Sequence, residues 1–166
     1  AVSGSKYPGV RRRYDTADGV LETAVETSDD WVHGDRIPLF DDYVVPRATK
    51  RLVEGPKDLP ALRRVLAEPN AADLKEFRDE AKRAKSFAAD RGLLTIGEWG
   101  VLFDAACWLH GMEEMAIDCV EEPDFVDELL DVIWRWNRRR MELVLEAGVD
   151  LYTRRAWYEN TDFLTP

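Results

Sequence analysis

Glu98 and Glu159 are the carboxylates in this sequence best placed to do chemistry, because each stands where an apolar run gives way to polar and aromatic residues. The runs are Leu93–Gly97 and Val149–Ala156, and each opens one residue after a glycine, Gly92 and Gly148. A carboxylate at the end of a strand can act as a general base, orient a substrate or support a ligand. The plainer alternative is a rim carboxylate held in an ion pair. Trp99 and Tyr158 sit beside the two glutamates and offer an aromatic wall for a flat or methylated ligand, or simply loop packing. Arg154 and Arg155 are adjacent, so on a strand they face opposite ways. One of them can clamp a substrate carboxylate bidentately, or pair internally with Asp150 or Glu98. Glu98 and Glu159 are therefore the catalytic candidates; Trp99, Arg154, Tyr158 and Asn160 are the substrate-binding candidates.

Other residue groupings carry less. Cys107 and His110 lie three apart on one helical face, with Cys119 further on, which invites a zinc reading. That face also carries Phe103 and Ala106 and must pack on a sheet, so a small buried cysteine and a helix-end histidine account for it as well. No metal ligand is assigned. His33, in the loop after the first strands, has no partner identifiable from sequence. The stretch Gly97-Glu98-Trp99-Gly100 lacks the spacing of a dinucleotide fingerprint, and no P-loop or nucleophile elbow is present.

The elements that position the glutamates follow from periodicity. Two short apolar runs separated by helical patterns read as a strand–helix–strand unit of a parallel sheet. Its crossover is right-handed, so both strands point the same way and their C-terminal ends share one rim. Between them, Phe103, Ala106, Cys107 and His110 mark one helix ended by Gly111, and Met112–Glu121 a second. Pro123 opens the longest helix, whose stripe is Val126, Leu129, Ile133, Asn137, Met141 and Val144. Upstream, Asp58 is expected to cap a helix to Leu66. Asn70 should cap a longer one ended by Gly92, with Leu74, Phe77, Ala81, Ala84 and Ala88 inward. The runs Val10–Thr16 and Val20–Glu26 flank Ala17-Asp18-Gly19, a hairpin signal with Leu21, Thr23 and Val25 inward. Arg51-Leu52-Val53 is a candidate edge strand.

Composition excludes some classes. The chain of 166 residues is 45% hydrophobic and 34% charged, which fits a folded domain and not a disordered one. Its net charge of -10 argues against nucleic acid, and the runs Arg11–Arg13 and Arg138–Arg140 have acidic neighbours. Two cysteines are too few for a disulfide framework and fit a reducing compartment, so the expected location is the cytoplasm. No apolar stretch approaches the length of a membrane span.

The order of several short motifs resembles the uroporphyrinogen decarboxylase superfamily, which includes the zinc-dependent, corrinoid-linked methyltransferases. The motifs are Gly97-Glu98-Trp99 after a strand, Leu109-His110-Gly111-Met112-Glu113 and Glu122-Pro123-Asp124-Phe125-Val126. Ala147-Gly148-Val149-Asp150 and Tyr158-Glu159-Asn160 with Leu164-Thr165-Pro166 follow them. The hairpin Tyr14–Gly19 is similar to the threonine–proline–x–glycine hairpin of the methyltransferase-like members, with Ala17 where proline is usual. The resemblance spans almost the whole chain. It implies an α/β fold, a partial (β/α)8 TIM barrel of uroporphyrinogen decarboxylase type with an N-terminal β-hairpin. A whole barrel takes about 250 residues, so residues 1–166 are expected to form a single, incomplete barrel domain. Residues 1–56 would be the hairpin and an irregular entry segment, and residues 57–166 the helices and parallel strands.

By the same resemblance the function is methyl transfer of the corrinoid-linked type. Porphyrinogen decarboxylation and a non-catalytic half-barrel binding protein are the alternatives. Ala105 and Ala106 stand nearest to where the decarboxylase has a tyrosine, which places methyl transfer first. Zinc and a corrinoid are implied for the complete barrel and none for this segment, because the family's histidine-x-cysteine has no matching position here. The segment alone is expected to be inactive. Its expected partners are a small-molecule substrate and either a second copy or the rest of a longer chain, with no nucleic acid and no membrane.

Overall fold

The computed structural model describes residues 7–154 and 156–159, with the backbone alone at Glu98 and Trp99. The fold is mixed α/β. Among the described residues the strands form one three-stranded antiparallel sheet and one two-stranded parallel sheet, and no closed barrel. The chain divides into two compact units, residues 1–66 with 103–133, and residues 67–102 with 134–166.

The first unit begins with the hairpin. β1 (Gly9–Thr16) and β2 (Gly19–Glu26) pair antiparallel in unbroken register from Gly9↔Glu26 to Thr16↔Gly19. The turn is therefore Ala17-Asp18, and Gly19, expected within the turn, opens β2 with φ +140°. Thr16 closes the turn, its hydroxyl donating to Gly19 O at 2.7 Å and accepting from Asp18 N at 3.2 Å. Leu21, Thr23 and Val25 are buried as their alternation predicts, and Ala24 is buried too. The third strand is β3 (Ala48–Lys50), antiparallel to β2 with an irregular register. It lies just before Arg51–Val53, where sequence placed an edge strand. Leu52 and Val53 are instead buried outside any strand, and Val53 N–H bonds Leu109 O at 3.1 Å.

Helix α1 (Leu59–Val65) buries Leu59, Ala61 and Leu62. A 3-10 turn, Pro56–Asp58, precedes it, so Asp58 is helical rather than an extended cap. The Asp58 carboxylate accepts Glu54 N–H at 2.7 Å and fastens the entry to that turn. Helix α3 (Phe103–His110) is buried on almost every side, from Asp104 to His110. Helix α4 (Met112–Glu121) follows a left-handed Gly111 at φ +107°. Helix α5 (Pro123–Glu146) starts at its proline and contributes Phe125, Val126, Leu129, Val132 and Ile133 to the buried residues of this unit.

In the second unit, α2 (Ala71–Ala89) opens on the strongest local signal in the chain. The Asn70 side chain accepts from Ala72 N at 2.8 Å and Asp73 N at 3.0 Å, and Asp73 returns a bond from Asn70 N at 3.1 Å. This reciprocal box satisfies N–H groups that otherwise have no helical partner. Asn70→Ala should cost about 1 kcal/mol, read as a lower urea midpoint with unchanged slope. The expected inward stripe of α2 is less covered than its spacing suggests. Leu74, Phe77 and Ala81 are half-buried, Ala84 is exposed and Ala88 is buried. At its far end Gly92, at φ +62°, lets Leu93 N–H reach back to Ala88 O at 2.9 Å.

β4 (Ile96–Gly100) and β5 (Leu151–Arg154) are hydrogen-bonded neighbours and parallel, as two runs joined by helices require. Both strands are shorter than the apolar runs that signalled them. Leu93 and Leu94 precede β4 and are exposed. Of the α5 residues expected against this sheet, Val144 reaches Gly97, whereas Leu129 and Ile133 belong to the first unit. None of the described helices is long and apolar enough to cross a membrane.

Candidate functional site

The parallel pair is started by Thr95 and Asp150. Asp150 N–H bonds Thr95 O at 3.0 Å, and the Asp150 carboxylate accepts the Thr95 amide at 2.8 Å and its hydroxyl at 2.7 Å. These bonds, first the amide and then the hydroxyl, hold the Asp150 carboxyl below its ordinary 3.8 against a small opposing cost of burial, and Lys85 adds to the effect. A depressed carboxylate contributes stability that is complete above its unfolded pKa, about 3.9, and lost as pH falls through the folded value. The carbon-13 carboxyl signal of Asp150 should therefore titrate below 3.8, and amide protection at Leu151 should fall over the same range. A midpoint at or above the ordinary value would remove this anchor from the account.

From that anchor the register runs Ile96↔Leu151, Gly97↔Tyr152 and then Gly100↔Arg154. Three steps on β4 match two on β5, so Glu98 and Trp99 together stand opposite Thr153. This is a bulge, the device by which a strand re-aims a side chain at a sheet end. It corrects the sequence expectation that Glu98 and Trp99 lie past the strand, since they are inside β4. Glycines flank it, and at each a Cβ would crowd a neighbour, with Arg154 Cγ 3.1 Å from one added at Gly100.

The second strand delivers its residues to the same end. Arg154 pairs in register with Gly100, and its guanidinium donates to Glu159 five residues further on. The Glu159 side chain is 18% exposed and Arg154 is 49% exposed, so the carboxylate is the covered member of the pair. Of the candidates, then, Arg154 and Glu159 are brought together, and the backbone of Glu98 and Trp99 reaches the same end of the pair. Tyr158 is half-buried and engaged with neighbours. Asn160 and Arg155 lie outside the described residues, as do the side chains of Glu98 and Trp99.

The histidines and cysteines occupy other roles. His110 is 3% exposed; its Nδ1 bonds Val53 O at 2.9 Å and its Nε2 meets Asp118 Oδ2 at 2.8 Å. Both nitrogens are thus committed to protein atoms. Cys107 is buried, and burial pushes the Cys119 thiol up, with Asp118 and Asp127 adding to the shift. Among the described residues no group of three or more His, Cys, Asp or Glu is arranged to hold a metal ion. His33 stands between Trp31 and Tyr43, ring centroids 5.0 and 5.9 Å away, with Asp41 3.4 Å from Nε2. The sequence offered no hint of that aromatic setting beyond the clustering of such residues.

Arg140 is the residue that sequence reasoning passed over. It stands in the run Arg138–Arg140, which reads as a solvated basic face, yet its guanidinium lies over the Trp136 ring at 4.5 Å from the centroid. No family model, curated protein or solved structure matches this chain.

Proposed function

We propose that this chain is a uroporphyrinogen decarboxylase-like protein of the methyl-transfer type, a portion of a (β/α)8 barrel whose strand ends bind a small-molecule substrate. The observation that carries the reading is the bulge at Glu98-Trp99 beside the Arg154–Glu159 pair, at the C-terminal end of two parallel strands. Parallel α/β folds place ligands at that end. Arg154 supplies a fork suited to a substrate carboxylate or phosphate, with Glu159 as the internal group that any such anion displaces. Glu98, at the bulge, is the proposed catalytic residue, and Trp99, Tyr158 and Asn160 are the proposed substrate-binding residues beside it. The methyl-transfer assignment rests on the motif resemblance, with the corrinoid treated as the methyl donor brought to the strand ends.

A resident zinc does not fit the described residues. Both His110 nitrogens are taken, Cys107 is buried, and no three-ligand group is present among them. No step is derived through that metal. The test is binding: methylcobalamin and uroporphyrin, a stable stand-in for the porphyrinogen, are each titrated against tryptophan fluorescence. Saturable quenching by methylcobalamin that weakens about tenfold in Arg154→Ala supports the proposal. Saturation by uroporphyrin alone transfers the reading to decarboxylation. Saturation by neither leaves the non-catalytic binding protein.

A further inference from the structure

A cavity of about 420 Å3 lies along α2 and α5 in the second unit, with Val144 on its wall. Its apolar lining comes from Leu74 and Phe77 on α2 and from Trp136 and Leu143 on α5, and its polar groups are Asp73 and Arg140. That volume is in the range of small-molecule sites, which combine apolar walls with few polar groups.

Arg140 gives the cavity its chemistry. The chain carries 33 acidic and 23 Lys and Arg residues, and several described arginines are held by carboxylates, among them Arg63 by Glu128 and Arg64 by Asp18. The neighbours of Arg140 in sequence show the contrast: Arg138 bonds Glu142 at 2.9 Å, and Arg139 reaches Glu142 and Glu146 at 3.5 Å. Arg140 instead stacks on Trp136, and no described carboxylate pairs with it. Stacking fixes the plane of the guanidinium while leaving its N–H edge available. Although the side chain remains exposed at the cavity mouth, desolvation lowers its pKa, with Tyr152 opposing that shift. It stays charged at neutral pH.

Asp73 limits what can bind. Its carboxylate completes the Asn70 capping box, so it is not free to turn towards a ligand, but its charge still opposes a second negative charge nearby. A monoanion is favoured over a dianionic phosphate.

We infer that this cavity binds a monocarboxylate with a flat apolar body, the carboxylate on Arg140 and the body between Phe77, Leu74, Trp136 and Leu143. Nothing in this inference depends on the barrel reading or on Arg154. The purified chain would be titrated with 3-phenylpropionate, with its uncharged amide and with inorganic phosphate, following Trp136 side-chain and Leu74 methyl NMR signals. The expected result is saturable shifts with 3-phenylpropionate, about tenfold weaker or absent for the amide and for Arg140→Gln. Phosphate should leave these signals unmoved. Arg139→Gln, one residue away and paired to Glu142, should bind like the parent and shows that the loss is not one of folding. Equal binding of acid and amide, retention of binding in Arg140→Gln, or no saturation by 3-phenylpropionate would each overturn the assignment.

Discussion

Replacing Gly97 by alanine should destabilise the protein by about 3 kcal/mol, at the upper end of what overpacking usually costs. A Cβ at this position would fall well inside 3.0 Å of Val144 Cγ1, 3.0 Å from Tyr152 Cδ2 and 3.4 Å from Val149 Cγ2. Valine is stiff about its first side-chain torsion, so the helix and not just a side-chain tip must move. Gly97 also precedes the bulge, so a displaced strand carries Glu98 and Trp99 with it. Removing the obstacle offers the control. Val144→Ala alone should cost about 1 kcal/mol, while the double variant should recover most of what Gly97→Ala loses, a non-additivity expected of residues in contact. Urea denaturation followed by tryptophan fluorescence reads all three. A Gly97→Ala protein within about 0.5 kcal/mol of the parent would show that α5 does not press on β4 as closely as described.

Local signals in this sequence were legible wherever one residue type has few uses. Asn70 capped, Pro123 opened a helix, and Gly92 and Gly148 ended helices with φ of +62° and +74°. The two glycine-preceded runs became parallel neighbours because chirality leaves a strand–helix–strand unit little choice. What failed was fine placement. Apolar runs overstate strands: Leu93 and Leu94 pattern like a strand but pairing begins only after Thr95, whose bonds to Asp150 set the start. Hairpin register slipped by one residue because Thr16 closes the turn over Ala17-Asp18, leaving Gly19 paired in β2. The bulge could not be read, since nothing in the composition of Gly97-Glu98-Trp99-Gly100 counts residues on the opposing strand. Its glycine flanks were the available hint.

The candidate site was legible in part for the same reason. Arginine and glutamate near a strand end suggest either a substrate clamp or an internal pair, and spacing alone does not choose. The Arg154–Glu159 contact shows that the pair is formed. A paired clamp is selective: an incoming anion must outcompete a carboxylate already bound, so weak or monodentate anions gain little. Arg140 shows the converse. Sequence placed it with two solvated neighbours, but a helix puts residues 100° apart, so consecutive arginines face different surroundings. Arg138 and Arg139 meet glutamates one turn on, while Arg140 meets an indole and an apolar cavity.

His110→Leu should cost about 2–4 kcal/mol, although leucine suits a helix at least as well and fills much of the same space. The ring joins three separate stretches of the first unit: Val53 before α1, Asp118 on α4 and Phe125 at the start of α5, whose ring centroid is 5.1 Å away edge-on. The Val53 carbonyl can only accept, so Nδ1 donates to it, while Nε2 faces the Asp118 carboxyl. Leucine would leave the two partners unequally placed. The Asp118 side chain is 24% exposed and can turn to water, whereas Val53 is fully buried and its carbonyl is held by His110 Nδ1. Most of the cost should therefore arise at Val53. Asp118→Ala leaves that bond intact and should cost less, about 1 kcal/mol. A double-mutant cycle between the two should return a coupling near that smaller figure and not near the larger. Hydrogen exchange locates the effect: amide protection at Val53, whose own N–H bonds Leu109 O, should fall in His110→Leu and hold in Asp118→Ala. If both variants lose protection there equally, the histidine acts through Asp118 and α4, and the buried carbonyl is not what it supports.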